Sequence, residues 1–166
     1  MYILEILRVH EFTAQERIME NIISITTIKQ VIDKTIKVKV NKIVSPRDVS
    51  LLAHSLIGDS DREYFLVIHV STKNRVNSVD IAHIGSLNTC TIHPREILKG
   101  AILSNSAAIV LAHNHPSLDL TPSDEDIQFT KRMQEASQLM GIDLLDHLII
   151  NQNQDYYSMK EFNHIP

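Results

Sequence analysis

The stretch "AAIVLAHNHPSLDLTPSDEDIQF", Ala107 to Phe129, decides how the rest of the chain is read. It opens with an apolar run, Ala107 to His113, of the kind found in strands buried on both faces. Two histidines one residue apart end that run, and Pro116 follows at once. Pro122 and Ser123 then open a helix with three acids in its first turn, where carboxylates complement the positive helix end, and the pattern stops at Gly141. "IDLLDHLIIN", Ile142 to Asn151, reads as another buried strand. Strands alternating with helices argue for an α/β layered domain. The two histidines then lie at the C-terminal end of a buried strand, where open α/β sheets tend to place their sites.

Upstream, "EYFLVIHV" (Glu63 to Val70) is rich in β-branched and aromatic residues and reads as a strand, with "RVNSVDIAHIG" returning as its hairpin partner after "STKN". "HPREILKGAILSN" is helical by the spacing of Ile97, Ala101 and Ile102. "SPRD" at Ser45 to Asp48 starts a helix with a capping serine and a proline at the first helical position, and Val49, Leu52, Ala53 and Leu56 form its buried stripe up to Gly58. Before Ser45 the pattern differs. "YILEILRV" reads as a strand, "TAQE" (Thr13 to Glu16) has the form of a capping box ahead of Ile18, Ile22 and Ile25, and "TIKVKV" (Thr35 to Val40) alternates like a strand with one wet face. "SMKEF" near the end has a second capping-box pattern.

Composition sets the outer bounds. The 166 residues suit one domain of ordinary size, and 43% hydrophobic residues suffice for a core. Sixteen basic residues against twenty acidic ones, net −4, do not support nucleic-acid binding. A single cysteine, Cys90, excludes an intrachain disulfide framework and fits a reducing compartment. No apolar run approaches the roughly 18 residues of a membrane span, and the N-terminus makes a poor signal peptide. The expectation is a cytoplasmic protein.

Zinc takes nitrogen, sulfur or oxygen ligands at about 2.0–2.2 Å, and a catalytic site supplies three of them, with water in the fourth position. At an extended strand end His113 and His115 point to one side. Asp126, in the first turn of the following helix, supplies a carboxylate if the loop folds back over the strand end. Asp124 and Glu125 read as helix-end charge, with Asp126 preferred as the ligand. Such a zinc makes a nucleophile of its water, and a general base is still needed.

His113, His115, Pro116, Ser123 and Asp126, with every gap matched, resemble the JAMM metalloprotease signature of the MPN domain. "STKNRV", "HPREILKGAILSNSAAIVLAHNHPS", "TPSDED" and "LLDHLII" are similar to the RadC-type branch of that group. The resemblance covers residues 45–166, leaving residues 1–44 as an N-terminal extension of unknown role. It implies an MPN (JAB/JAMM) fold, a mixed central sheet flanked by helices with cytidine-deaminase-like layering. It also implies a Zn2+ cofactor, a peptide or protein substrate, Glu63 as the general base, and Ser123 as a residue holding the oxyanion or the water. Two features depart from the pattern. RadC-type chains have glycine where this chain has Leu118, so a turn requiring positive φ would strain the leucine, or the loop takes another path. Longer RadC proteins also carry a helix-hairpin-helix region that touches DNA, and the glycines such a hairpin needs are missing before Gly58.

Other residues carry less. Asp146-His147 reads either as support for the zinc histidines, fixing a tautomer, or as a satisfied core pair. His93 before Pro94 fits a structural turn better than a cleft wall, and His10, His54, His69, His83 and His164 read as scaffold or surface. Cys90 reads as a small buried apolar residue. Three functions compete. A JAMM-type peptidase or isopeptidase leads, because all the ligands are present, and a non-catalytic MPN module beside DNA-processing machinery is the alternative. A zinc nucleobase deaminase would need H-x-E and P-C-x-x-C, which this chain lacks. The short loop from His115 to Ser123 offers no evident insertion to grip a ubiquitin-like partner.

Overall fold

The computed structural model describes residues 27, 31–85 and 92–166. Three helices and five strands follow in the order α1 (Pro46–Ile57), β1 (Tyr64–Val70), β2 (Val76–Ile84), α2 (Pro94–Leu103), β3 (Ala108–Asn114), α3 (Asp124–Leu139), β4 (Asp143–Ile150) and β5 (Tyr156–Ser158). The strands form one mixed sheet, ordered β2-β1-β3-β4-β5. Only β3 and β4 run parallel, joined by α3 as the crossover helix, and the other pairings are antiparallel.

Side-chain alternation sorts the core into two layers. Phe65 and Val67 of β1 and Ile109 and Leu111 of β3 pack with Ile97, Leu98 and Ala101 of α2 and with Phe129 and Met133 of α3. Leu66, Ile68, Val110 and Ala112 face the opposite way and pack with Val49, Leu52, Ala53 and Ile57 of α1. The sheet is therefore covered on both faces, which is why β3 is buried along its whole length. The register of β3 and β4 slips at one point. Ile109 pairs with Leu144 but Val110 pairs with Asp146, so Leu145 is an extra residue on β4. Leu144 faces α2 and α3, Leu145 faces the α1 layer, and beyond the slip Ile149 faces α2 and α3 again. By alternation His147 shares the face of Ile149.

The helix starts are as expected. Ser45 and Asp48 close a capping box on α1, and Ser123 and Asp126 close one on α3. Two expectations need correction. Residues 35–40 form no strand, and all but Val40 are exposed, since alternation cannot make a strand without a neighbour for its backbone. The chain joins the domain slightly later, where Lys42 bridges to Arg75 and Ile43 is buried. At "SMKEF" only half of the box forms. Glu161 N donates to Ser158 Oγ, but the Ser158 hydroxyl also donates to Asp146 and the chain turns without entering a helix. The short strand β5 was not anticipated, and Leu56 is only half-buried in α1. The strand and helix expected within residues 1–26, together with His10 and Cys90, lie outside the described residues.

Candidate metal centre

His113 is the next-to-last residue of β3, and His115 lies just beyond its end. Odd-numbered β3 residues face α3, so His113 points toward the helix start, and His115 continues the same side. The His115 amide donates to the Ile150 carbonyl, which keeps this first loop residue tied to β4. The α3 capping box brings the carboxylate into place. The Ser123 amide and hydroxyl both donate to Asp126 Oδ2, at 2.9 and 2.6 Å, which leaves Oδ1 turned to His113 Nε2 at 3.4 Å. Asp126 thus caps the helix and offers an oxygen to the site, and it is buried while Asp124 and Glu125 are exposed.

Donor atoms of His113, His115 and Asp126 lie within 4.8 Å of one another. His113 Nε2 is 3.0 Å from His115 Nε2, and His115 Nε2 is 3.9 Å from Asp126 Oδ2. His115 Nδ1 sits 2.6 Å from the Asp119 carbonyl, which can only accept. The proton of a neutral His115 is therefore on Nδ1, and its Nε2 lone pair faces the cluster. Lone pairs and carboxylate oxygens converging in a buried space, with no lysine or arginine paired to them among the described residues, fit a cation. Burial pushes the His113 imidazole down to about 4, with His115 adding to the effect and Asp126 opposing it, so at neutral pH His113 is free of a competing proton.

Glu63 immediately precedes β1 and is half-buried. Phe65 pairs with His113 in the antiparallel register, so the same register carried two residues further sets Glu63 across from His115. Glu63 shares a strand face with Phe65, whose ring stacks on His113 at 5.8 Å and 11°. Asn114, between the two histidines, clips this strand end in place. Its Nδ2 donates to the Arg62 carbonyl at 2.9 Å and its Oδ1 accepts from the Tyr64 amide at 2.7 Å, one bond on each side of Glu63.

Behind His113 lies a buried line of polar groups. His113 Nδ1 is 2.9 Å from His147 Nε2, His147 Nδ1 is 2.6 Å from Thr130 Oγ1, and Thr130 Oγ1 is 2.6 Å from the Asp126 carbonyl. Burial, then the neighbouring His113 and His115, hold His147 well below the ordinary histidine range. Its neighbour Asp146 takes no part. That carboxylate accepts from the His147 amide, Ser158 Oγ and the Lys160 amide, and burial raises its pKa. The two halves of "DH" thus serve different structures. Asn114, Thr130 and Phe65 escaped the sequence reading. Strand alternation could have found Phe65, but nothing in the local pattern marks the other two.

The loop between His115 and Asp126 keeps its turn despite Leu118, which adopts φ 67°. The Leu118 amide donates to the His115 carbonyl and its own carbonyl accepts from Asn151 Nδ2. The leucine sits in the left-handed region without a glycine's freedom.

A family model described as a RadC-like JAB domain matches residues 43–164. The chain belongs to this RadC-like JAB family. Its relatives include a UPF0758 protein of Desulfitobacterium hafniense, 49% identical over 119 residues, which are 72% of this chain and 52% of that protein. A UPF0758 protein of Methanosarcina acetivorans is 42% identical over 120 residues, 72% of this chain and 52% of its own length. One of Alkaliphilus metalliredigens is 47% identical over 130 residues, 78% of this chain and 56% of its own length. This chain therefore spans about half the length of the curated relatives it matches. No helix among the described residues is long and apolar enough to cross a membrane.

Proposed function

We propose that this JAB domain is a zinc-dependent metallohydrolase, a JAMM-type peptidase or isopeptidase acting on a peptide or protein in the cytoplasm. The observation that carries this reading is the convergence of His113, His115 and Asp126 beside the strand end that bears Glu63. Zinc held by those three residues would polarise a carbonyl and make water acidic enough to react near neutral pH. Glu63 takes the proton from the attacking water and returns it to the departing amine. The Asn114 clip holds Glu63 at the height of His115, and Phe65 covers one face of His113 against water. Ser123 orients Asp126 and is the side chain assigned to the oxyanion.

One observation favours a second reading, a non-catalytic binding module. The Ser123 hydroxyl proton is engaged by Asp126 Oδ2, so an oxyanion would have to win it from that carboxylate. The net charge of −4 does not support nucleic acid as that module's partner.

Elemental mass spectrometry of protein purified without chelator tests the metal, and a peptide and isopeptide cleavage panel tests the chemistry. The expected result is about one zinc per chain, lost in His113→Ala and Asp126→Ala. Glu63→Gln keeps the zinc and loses cleavage. Folded protein that takes up no zinc when it is supplied refutes the metal centre. Zinc-loaded protein with no cleavage across the panel favours the binding module.

A further inference from the structure

With its groups neutral, the buried line from His113 to Asp126 has one set of protons that fills all three of its contacts. Thr130 Oγ1 has a single hydrogen and two partners, each at 2.6 Å. The Asp126 carbonyl can only accept, and two oxygens cannot sit that close without a proton between them, so the threonine hydrogen lies there. Thr130 Oγ1 must then accept from His147, which places a proton on His147 Nδ1. Neutral His147 presents a lone pair at Nε2, so the bond to His113 Nδ1 is donated by His113. The remaining His113 nitrogen, Nε2, is left with its lone pair facing Asp126 Oδ1 at 3.4 Å and the lone pair of His115 Nε2 at 3.0 Å, a contact without a proton that a cation would fill.

A positively charged His147 would reverse the last step and put the His113 proton on Nε2, against the ligand cluster. The surroundings oppose that charge. His147 has no exposed surface, lies against the rings of Phe65 and Phe129, and pairs with no carboxylate among the described residues. Thr130 is equally buried.

We propose that Thr130 and His147 are positioning residues that set the His113 tautomer, so that Nε2 is ready to bind a metal before one arrives. The relay also joins the ligands to each other. It begins at a carbonyl of Asp126 and ends on the ring of His113, so helix α3 reads out on strand β3. The inference deepens the proposed zinc site and rests on it for its purpose, while the three contacts from His113 Nδ1 to the Asp126 carbonyl lie outside the ligand cluster.

Two measurements on the 166-residue chain test it. The first is long-range proton–nitrogen NMR of the histidine rings in chelator-treated protein at neutral pH, assigned with single-histidine variants. The expected result is a proton on Nδ1 of both His113 and His147 and none on either Nε2. A protonated His113 Nε2, or a doubly protonated His147, overturns the proposal. The second is zinc affinity by chelator competition. Thr130→Val, which keeps the shape and removes the acceptor, should weaken binding by about 10–100-fold, the usual cost of losing a group that orients a ligand. Thr130→Ser should restore it. Equal zinc affinity in wild type and a folded Thr130→Val overturns the proposal. Wild type that binds no zinc but shows the expected tautomers refutes the proposed function and leaves the relay standing, so the two failures are told apart. If Thr130→Val does not fold, the wild-type spectrum decides.

Discussion

The burial of His113 makes the metal-free protein acid-labile by an amount that can be worked out. In the unfolded chain this imidazole gains its proton near 6.5, whereas in the fold burial delays it to about 4. The unfolded state therefore binds the extra proton first, and stability falls with pH between those values. The contribution is fully present above 6.5 and is lost as pH falls toward about 4. At 1.36 kcal/mol per tenfold change in proton affinity, the whole window is worth about 3 kcal/mol, of which about 2 kcal/mol is already lost at pH 5. For a chain of this size that corresponds to a fall of about 4–8 °C in Tm. His147, also held down by burial, acts in the same direction, while Asp146, held up, acts in the opposite one at the acid end. The comparison of wild type with His113→Gln removes the His113 contribution together with the part of the His147 shift that His113 causes, both of the same sign. Urea unfolding in the presence of chelator, at pH 7.5 and near pH 5, should show wild type losing about 2 kcal/mol more than the variant. Parallel losses would refute the argument that a neutral, desolvated His113 is built into the fold.

Three further outcomes follow from particular contacts. Asn114→Ala leaves the Arg62 carbonyl and the Tyr64 amide without their partners, so denaturation should show a loss of about 1–3 kcal/mol, with zinc content unchanged and cleavage reduced as Glu63 loosens. Leu118→Gly relieves a left-handed leucine, worth about 1–2 kcal/mol, against the extra freedom of glycine in the unfolded chain. Its Tm should rise by about 1–4 °C, Leu118→Ala should give no rise, and an unchanged Tm in the glycine variant would show that the turn is not strained. A methyl at Gly100 would overlap Asp80 Oδ2 and come within 3.1 Å of His69 Nε2. Since His69 is buried and its Nδ1 has no partner among the described residues, Gly100→Ala should break its pairing to Asp80 and lower stability by about 1–3 kcal/mol, read by urea midpoint.

The three converging donors and their elements were legible because their signals are local. An apolar run leading into His113 marks a strand buried on both faces whatever its neighbours are, and Pro122 and Ser123 ahead of three acids mark a helix start, whose free backbone donors are met within one turn. That one carboxylate both closes the capping box and faces the histidines is what the fold adds, by bringing the α3 start back over the end of β3. Where local pattern lacked a partner it misled. Residues 35–40 alternate like a strand and lie exposed, since a strand exists only where another backbone completes it.

By itself, then, the sequence determined the strand, loop and helix that carry three converging donors, because spacing along one segment settles which side chains can meet. Tertiary structure alone decided what stands around them. Glu63 is set across from His115 because β1 pairs with β3 in one particular register, clipped by Asn114 across 50 residues of chain. His147 rather than Asp146 meets His113 because the extra residue at Leu145 inverts the alternation along β4. Thr130 enters the relay because α3, one turn beyond Asp126, lies against that same face. Register and bulges are settled by how whole layers pack, and a chain read one segment at a time carries no record of them.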